Sequence, residues 1–591
     1  MRPPEDVDIE NERAPRPASR NTTKPAAYSM KTIVSSLEPL EARIAPAAFV
    51  TYTDVDGDLV KITASTGPLD LADLTLAGGD AGILQRFNLT AAGFDGAKIT
   101  FTVTKKLPGG DGLANVGFID ATGRDLDAVI VKGDLARIIA GDAVTADDPG
   151  LNLLSVRSLG TLGLATGAAN LQSKITGGLG ALVVGKDFTE AYLEVASGGI
   201  GSVKIGGDIL GGRTFRAGTI FSVGSIGPIT IGGSVVGGQI TESGFIYSGG
   251  SIGAVKLGGS LGGGGSPDSG EIRAVGSMGA VTLGGSLIGG SSIATGTIHA
   301  GTTLGLVKIK GSVLGASGQN SGLIRSDGDL AGVQIGGDLA GGSTGGAGSI
   351  SCGADIGPVK IGGNLIGGKP EFDGGVAGAG AIFSSGRIAS VAIRGAIFAA
   401  HHTGAGATAF CGSIRCGDDL GSLSVGKGIF GDEIAPIIIS AGGEAVKPVS
   451  GDDLTIGKIT IKGDVRFARI LAGFDTSQAA FNADASIGPV SVSGDWVASS
   501  LVAGAQDAGT PGFGEGDIVQ AVGNTALISR IASVTIRGDI TGSLTTGDRF
   551  GFVAQQIDKF RSAGRSAVLT PGKTNNAFFF DHTNDVALLE V

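Results

Sequence analysis

Cysteine, histidine, aromatics and long apolar runs are all scarce in this 591-residue chain, and each scarcity removes a class of protein. Three cysteines cannot build a disulfide framework. No run approaches the roughly eighteen consecutive apolar residues of a helical membrane span. Four histidines leave little for metal or triad chemistry, and no Ser-His-Asp set, Cys-His pair or HExxH motif is visible. The net charge is −11, and Lys and Arg are scattered singly at exposed strand positions. No basic stripe of the kind a nucleic acid needs is visible, so that partner class is set aside.

What is abundant is glycine, 109 residues, beside an apolar fraction of 42 %. A disordered Gly/Ser linker would lack material for a core. High Gly with many Val, Ile and Leu instead implies short strands joined by tight turns, because Gly adopts positive φ at little cost.

Internal periodicity decides the architecture. The recurring phrase S-I-G-x-V-x-I-G-G-S-L places an apolar anchor at Ile200, Ile226, Ile252, Met278, Leu304, Leu330 and Ile356, a spacing of 26 residues. Earlier anchors are read at Leu126, Leu159 and Leu179, and later ones at Ile388, Leu420, Ile456, Ile487 and Ile531. Three and five residues after the anchor stand apolar columns such as Val203, Ile229, Val255 and Ile205, Ile231, Leu257, with Lys204, Thr230 and Lys256 between them. That is strand alternation, apolar inward and polar outward. Two further apolar columns lie nine after the anchor (Ile209, Val235, Leu261) and six before it (Ile220, Ile246, Ile272). Helices are excluded, since Gly at this density costs about 1 kcal/mol per helical site. The expectation is an all-β chain: one long parallel β-helix, or β-solenoid, of about fifteen coils with three short strands per coil and a cap at each end.

The expected organisation has five parts. Residues 1–34 are expected to be a disordered or mis-called N-terminal extension, within which Met30 is a candidate start, and residues 35–48 an export motif. Residues 49–125 make a β cap with the first coils, 126–545 the solenoid with insertions after 368, and 546–591 a C-terminal cap. In that last part Phe578, Phe579 and Phe580 are expected to plug the open end of the apolar interior.

The run SSLEPLEARIAPAA at 35–48 resembles the LEPR-XLL-type motif that heads large exported proteins of planctomycetes and verrucomicrobia, with Leu40 where the name-giving Arg would stand. YTDVDGDLVKIT (52–63), NVGFIDATGRDL (115–126) and the Gly-rich coils resemble the repetitive proteins carrying that motif. The resemblance implies export and surface residence, not an activity. The body also resembles β-helical passenger regions of bacterial adhesins.

Candidate sites are few. Asp54, Asp56 and Asp58 are alternate carboxylates on a tight loop, suited to calcium, although the EF-hand pattern is not met. The competing reading is an Asx-rich turn. The corner column eight after the anchor (Asp208, Ser234, Ser260, Ser286, Ser312, Asp338, Asn364) supplies small acceptors for turn amides. Cys352 and Cys416 share a small inward column two rungs apart, too far for a disulfide, and Cys411 faces away from Cys416, so three free thiols are expected. Insertions at Lys369–Gly378, Ala399–Ala409 and Gly431–Val449 are expected to stack as one lateral protrusion carrying Glu371, Phe372, Asp373, His401, His402, Asp432 and Glu433 as a candidate binding surface.

The functional expectation is therefore an exported structural or adhesive cell-surface protein without catalysis, meeting extracellular polysaccharide or cell-envelope components and requiring no cofactor. The alternative is a carbohydrate-active β-helix enzyme of the polysaccharide lyase or glycosidase type. Such enzymes place paired carboxylates on an exposed strand face, whereas the column Lys204, Thr230, Lys256 has none.

Overall fold

The apolar columns of the sequence are stacked files in space. The computed structural model describes residues 48–591 apart from 79–81, 107, 145–148, 369–377, 401–409, 445–452, 509–511, 544, 546 and 581–584. Among these, 53 strands join in one sheet, and the coil-to-coil pairings of the body are parallel. Residues 35–48, expected to be an export motif, lie outside the described residues except for the last position.

Each coil has three faces. The first carries strands such as Ile229–Ile231, the second Val235–Val236 and the third Ile246–Ser248. Val203, Ile229, Val255 and Val281 pair in succession on the first face, and Ile220, Ile246, Ile272 and Ile298 on the third. The anchors Ile200 to Ile356 bridge one another in the same order. Their side chains are buried and belong to one continuous core cluster. A single coil could not bury this face alone, so each rung is stabilised by its neighbours.

The file corrects one anchor. Leu126 pairs with Leu151, which pairs with Leu179, whereas Leu159 pairs with Leu135 and Phe188 on the second face. Leu fits either column, and this coil lacks the Gly-Gly phrase that marks the phase elsewhere.

That phrase has a structural cause at the corner between the first and second faces. The Asp208 Oδ1 accepts the Ser234 N–H at 2.6 Å, and Ser234 Oγ accepts the Ser260 N–H at 3.1 Å. Ser260, Ser286, Ser312 and Asp338 continue the same ladder to Asn364. Each acceptor occupies the space where a side chain on the next coil's second glycine would go: a Cβ on Gly259 would meet Ser234 Oγ at 2.2 Å. The expected turn acceptors thus bond one coil to the next. A second ladder, from Ser225 to Ser251 to Ser277, lines the corner before the first face.

Both ends close the barrel differently from its body. Ala48–Thr53, Leu59–Ala64 and Ala97–Thr104 are antiparallel, and the last of these turns parallel against Leu126–Gly141 to open the ladder. At the other end Val586–Glu590 lies parallel on Phe550–Ala554 and antiparallel to Ala577–Phe579. Of the three expected plug residues only Phe580 turns inward, 4.9 Å from Phe560 and 5.9 Å from Phe552. Phe578 and Phe579 are 36 % and 46 % exposed, because their strand pairs along the edge instead of across the opening.

Candidate functional site

Chemistry-bearing side chains gather in four places: the aspartate turn, the insertions, the cysteines and the third face. The aspartate turn joins two antiparallel strands, with Gly57 at φ 93 letting the chain reverse. It brings the carboxylate oxygens of Asp54, Asp56 and Asp58 within 4.8 Å of one another. Asp54 Oδ1 accepts the Asp58 N–H at 2.8 Å. The neighbouring loop wraps the turn: Lys106 and Gly112 donate to Asp58 at 2.6 and 2.5 Å, and Asp111 donates to Asp56 at 2.7 Å. Burial, a hydrogen bond to Asp56 and the adjoining charges push Asp54 up to about 7. The Asx turn and the acidic convergence are both present. All three carboxylates already receive backbone amides, Asp54 one and Asp56 and Asp58 two each, so a hard cation held here would share oxygens that the turn already uses.

The insertions divide between two corners. Those between Ile366 and Ile382 and between Phe398 and Ile414 leave the corner from second to third face. The third does not. Ile437–Ala441 already pairs with Ile414–Cys416, so only 431–436 turn that corner and the extra residues fall after Ala441, before the next first-face strand. The expected single protrusion is therefore corrected, because Ile439 fills the third-face file inside the segment read as an insertion. Glu371, Phe372, Asp373, His401 and His402 lie outside the described residues. Asp432 caps its own turn, accepting from Ile434 and Ala435 at 3.0 and 2.7 Å. It also lines a cavity of about 690 Å³ with Phe398 and Phe430, whose rings stack at 5.5 Å. Glu433 lines a neighbouring, smaller cavity with Arg469 and Arg549.

None of the three cysteines is in a disulfide, and all three are buried. Cys352 and Cys416 are separated by Ser384 in one file, and Cys411 packs apart from them with Ala379 and Ala400. Burial raises each thiol, with Cys416 pushed furthest.

The third face carries the chemistry that the sequence reading missed. Its outward file, five residues before each anchor, runs Phe221, Tyr247, Arg273, His299, Arg325. The same period that located the anchors would have found it. Phe221 and Tyr247 stack at 4.8 Å, nearly parallel. Arg216 pairs with Glu242 at 2.5 Å and lies 5.2 Å from the Phe221 ring. Arg325 and His299 share Asp327 at 2.7 and 3.1 Å, and burial still pulls His299 below its ordinary value. Between these groups stands Glu271, 3 % exposed, one carboxylate oxygen of which has no hydrogen-bond partner. Burial first, then the charge of Asp268, pushes Glu271 up to about 7. The corner beside it is held by Arg216, Glu242 and Asp268 in left-handed conformations, with φ from 47 to 57.

No helix of the described residues is long and apolar enough to cross a membrane. Comparison with protein-family models, with curated proteins and with solved structures finds no match to this chain.

Proposed function

We propose that the chain is an exported structural or adhesive protein of the cell surface, presenting an extended repetitive β-helical surface to polysaccharide or other envelope components. One observation carries this reading: from Ile200 to Ile356 every outward position recurs in register, coil after coil. A partner therefore meets side chains presented at a regular rung interval instead of one shaped pocket, which suits polymeric ligands. The resemblance at 35–48 supports export. Protease treatment of intact cells is expected to cleave the chain; cleavage only after lysis would overturn the surface reading.

A second reading, a carbohydrate-active β-helix enzyme, draws on Glu271. A carboxyl that holds its proton near neutral pH beside Asp268 and Glu242 has the character of a general acid. Hydrolysis of a polysaccharide by the wild type, abolished in Glu271→Gln, would put this reading first. Absence of turnover across neutral and acidic glycans leaves the adhesive reading in place.

A further inference from the structure

Lysines and arginines that are far apart in the sequence form one file on the first face. Lys204, Lys256, Lys308 and Lys360 occupy the same strand position, on alternate coils, with Thr230, Thr282 and Gln334 between them in direct register. Lys310 and Arg394 stand two positions further along their strands, toward the glycine corner. All six are exposed, and none forms an ion pair among the described residues. From Ile200 to Arg537, the outward positions of this face, from one to seven residues after each anchor, include no Asp or Glu. Carboxylates of the same coils, such as Asp329, Asp338 and Asp355, stand at the corners, where Asp338 is engaged by the Asn364 amide. In a chain of net charge −11, a face with cations alone is a segregation of charge that composition does not produce.

The face is also concave. A groove of about 420 Å³ is lined by Lys308, Lys310, Gln334, Lys360 and Arg394 over a floor that includes Gly336 and Gly362. With rungs about 4.8 Å apart, cations in the main file recur at about 9.6 Å. A hydroxyl or amide donor sits midway.

We propose that this face binds a linear anionic polysaccharide laid along the coil axis, a refinement that rests on the adhesive reading. Alternation of charge and neutral donor matches a polymer whose acidic sugars alternate with neutral ones. Charge complementarity selects the class, and two features weigh against nucleic acid. A single strand would need aromatic platforms for its bases, and no aromatic residue occupies these outward positions. A phosphate on every unit would also leave half its charges facing threonine or glutamine.

The test uses the full chain, with polygalacturonate and dextran sulfate as carboxylate and sulfate probes, a neutral β-glucan, and a DNA oligonucleotide. One or both acidic glycans bind, more weakly as salt is raised. The variant K308E/K310E/K360E/R394E loses affinity by about tenfold or more, whereas R325E, on the third face, does not. Circular dichroism and unfolding midpoint confirm that both variants fold. Preference between the two probes identifies carboxylate or sulfate as the anion. Equal binding by wild type and quadruple variant, tighter binding of DNA than of either glycan, no binding of any polyanion, or loss only of self-association would each overturn the proposal. Capture of the neutral glucan alone, equal in wild type and quadruple variant and with no acidic glycan bound, would remove this face while leaving the adhesive reading standing.

Discussion

On the third face Arg216 is held by Glu242 and the Phe221 ring, and Arg325 shares Asp327 with His299. On the first face of the same coils, Lys256 and Lys308 reach into solvent with no ion partner among the described residues. Strand geometry is common to both faces, so the backbone cannot account for the difference. Third-face charges tie down a corner whose left-handed residues cost on the order of 1 kcal/mol each. First-face charges tie down nothing. What distinguishes the faces is whether charge is directed inward, to the fold, or outward, to a partner.

The largest expected effect comes from breaking the corner that fixes the first face against the second. Gly259→Ala places a Cβ 2.2 Å from Ser234 Oγ, the atom that receives the Ser260 amide. Displacing it both overpacks the corner and unmakes a rung of the ladder, for a loss of about 3 kcal/mol. Urea unfolding measures it. Removing the obstructing hydroxyl in Ser234→Ala/Gly259→Ala restores part of that loss, a non-additivity expected of groups in contact. An unchanged midpoint in Gly259→Ala would mean the corner yields, and the two faces would not be rigidly partitioned.

Glu271 is the third face's exception, a buried acid with an unpartnered oxygen, and it offers a smaller effect of opposite sign. Its folded pKa is raised to about 7, above its unfolded value. As pH climbs between the two values, the unfolded chain releases a proton that the folded chain retains. Stability therefore falls through this window and the penalty is complete above about 7. Glu271→Gln removes the penalty, raising stability by about 1–2 kcal/mol at alkaline pH, less than the full linkage value because the new amide also lacks partners. Asp54, Asp419 and Asp517 are raised into the same range, so the readout is the difference between wild type and variant across pH. A difference independent of pH, or destabilisation at alkaline pH, would show that the buried charge is accommodated after all.

How far the sequence carried the reading follows from which signals repeat at one period. Val203, Ile229 and Val255 recur every 26 residues with strict alternation, so the β-helix, its three faces and the single core were legible. The Gly-Gly-Ser corners and the absence of a disulfide among the three cysteines followed from the same alignment. Where the period slips, legibility fails: Leu159 was misfiled, and the turn after Phe430 was read as an insertion because Ile437–Ala441 lacks the Ser-Gly pair, such as Ser243-Gly244 or Ser321-Gly322, that precedes the third-face strand elsewhere. The third-face file of Phe221, Tyr247 and Arg273 shares the period but not a residue type, so no chemical pattern announced it. The first-face column of Lys204, Thr230 and Lys256 was legible as polar and outward, and what escaped was that its cations form one file without carboxylates. Lys256 and Lys308 are two coils apart, far beyond any window in which a charge run is noticed, yet they are neighbours along the axis.

The smallest expected effect sharpens the comparison most. Lys308→Ala/Lys360→Ala removes two exposed cations that make no ion pair among the described residues, so the unfolding midpoint stays within about 0.5 kcal/mol of wild type. At low salt it rises slightly if it moves at all, because like charges about 9.6 Å apart lie within about one screening length. Arg216→Ala, by contrast, loses its pair with Glu242 and its aromatic contacts, and costs about 1 kcal/mol. Both variants lose cationic side chains, so neither loss of positive charge nor loss of an alkyl stem distinguishes them. Only the direction in which the charge is engaged does. Should the double lysine variant lose as much stability as Arg216→Ala, the lysines would serve the fold, and the first face would have no charge left to explain by an outside partner.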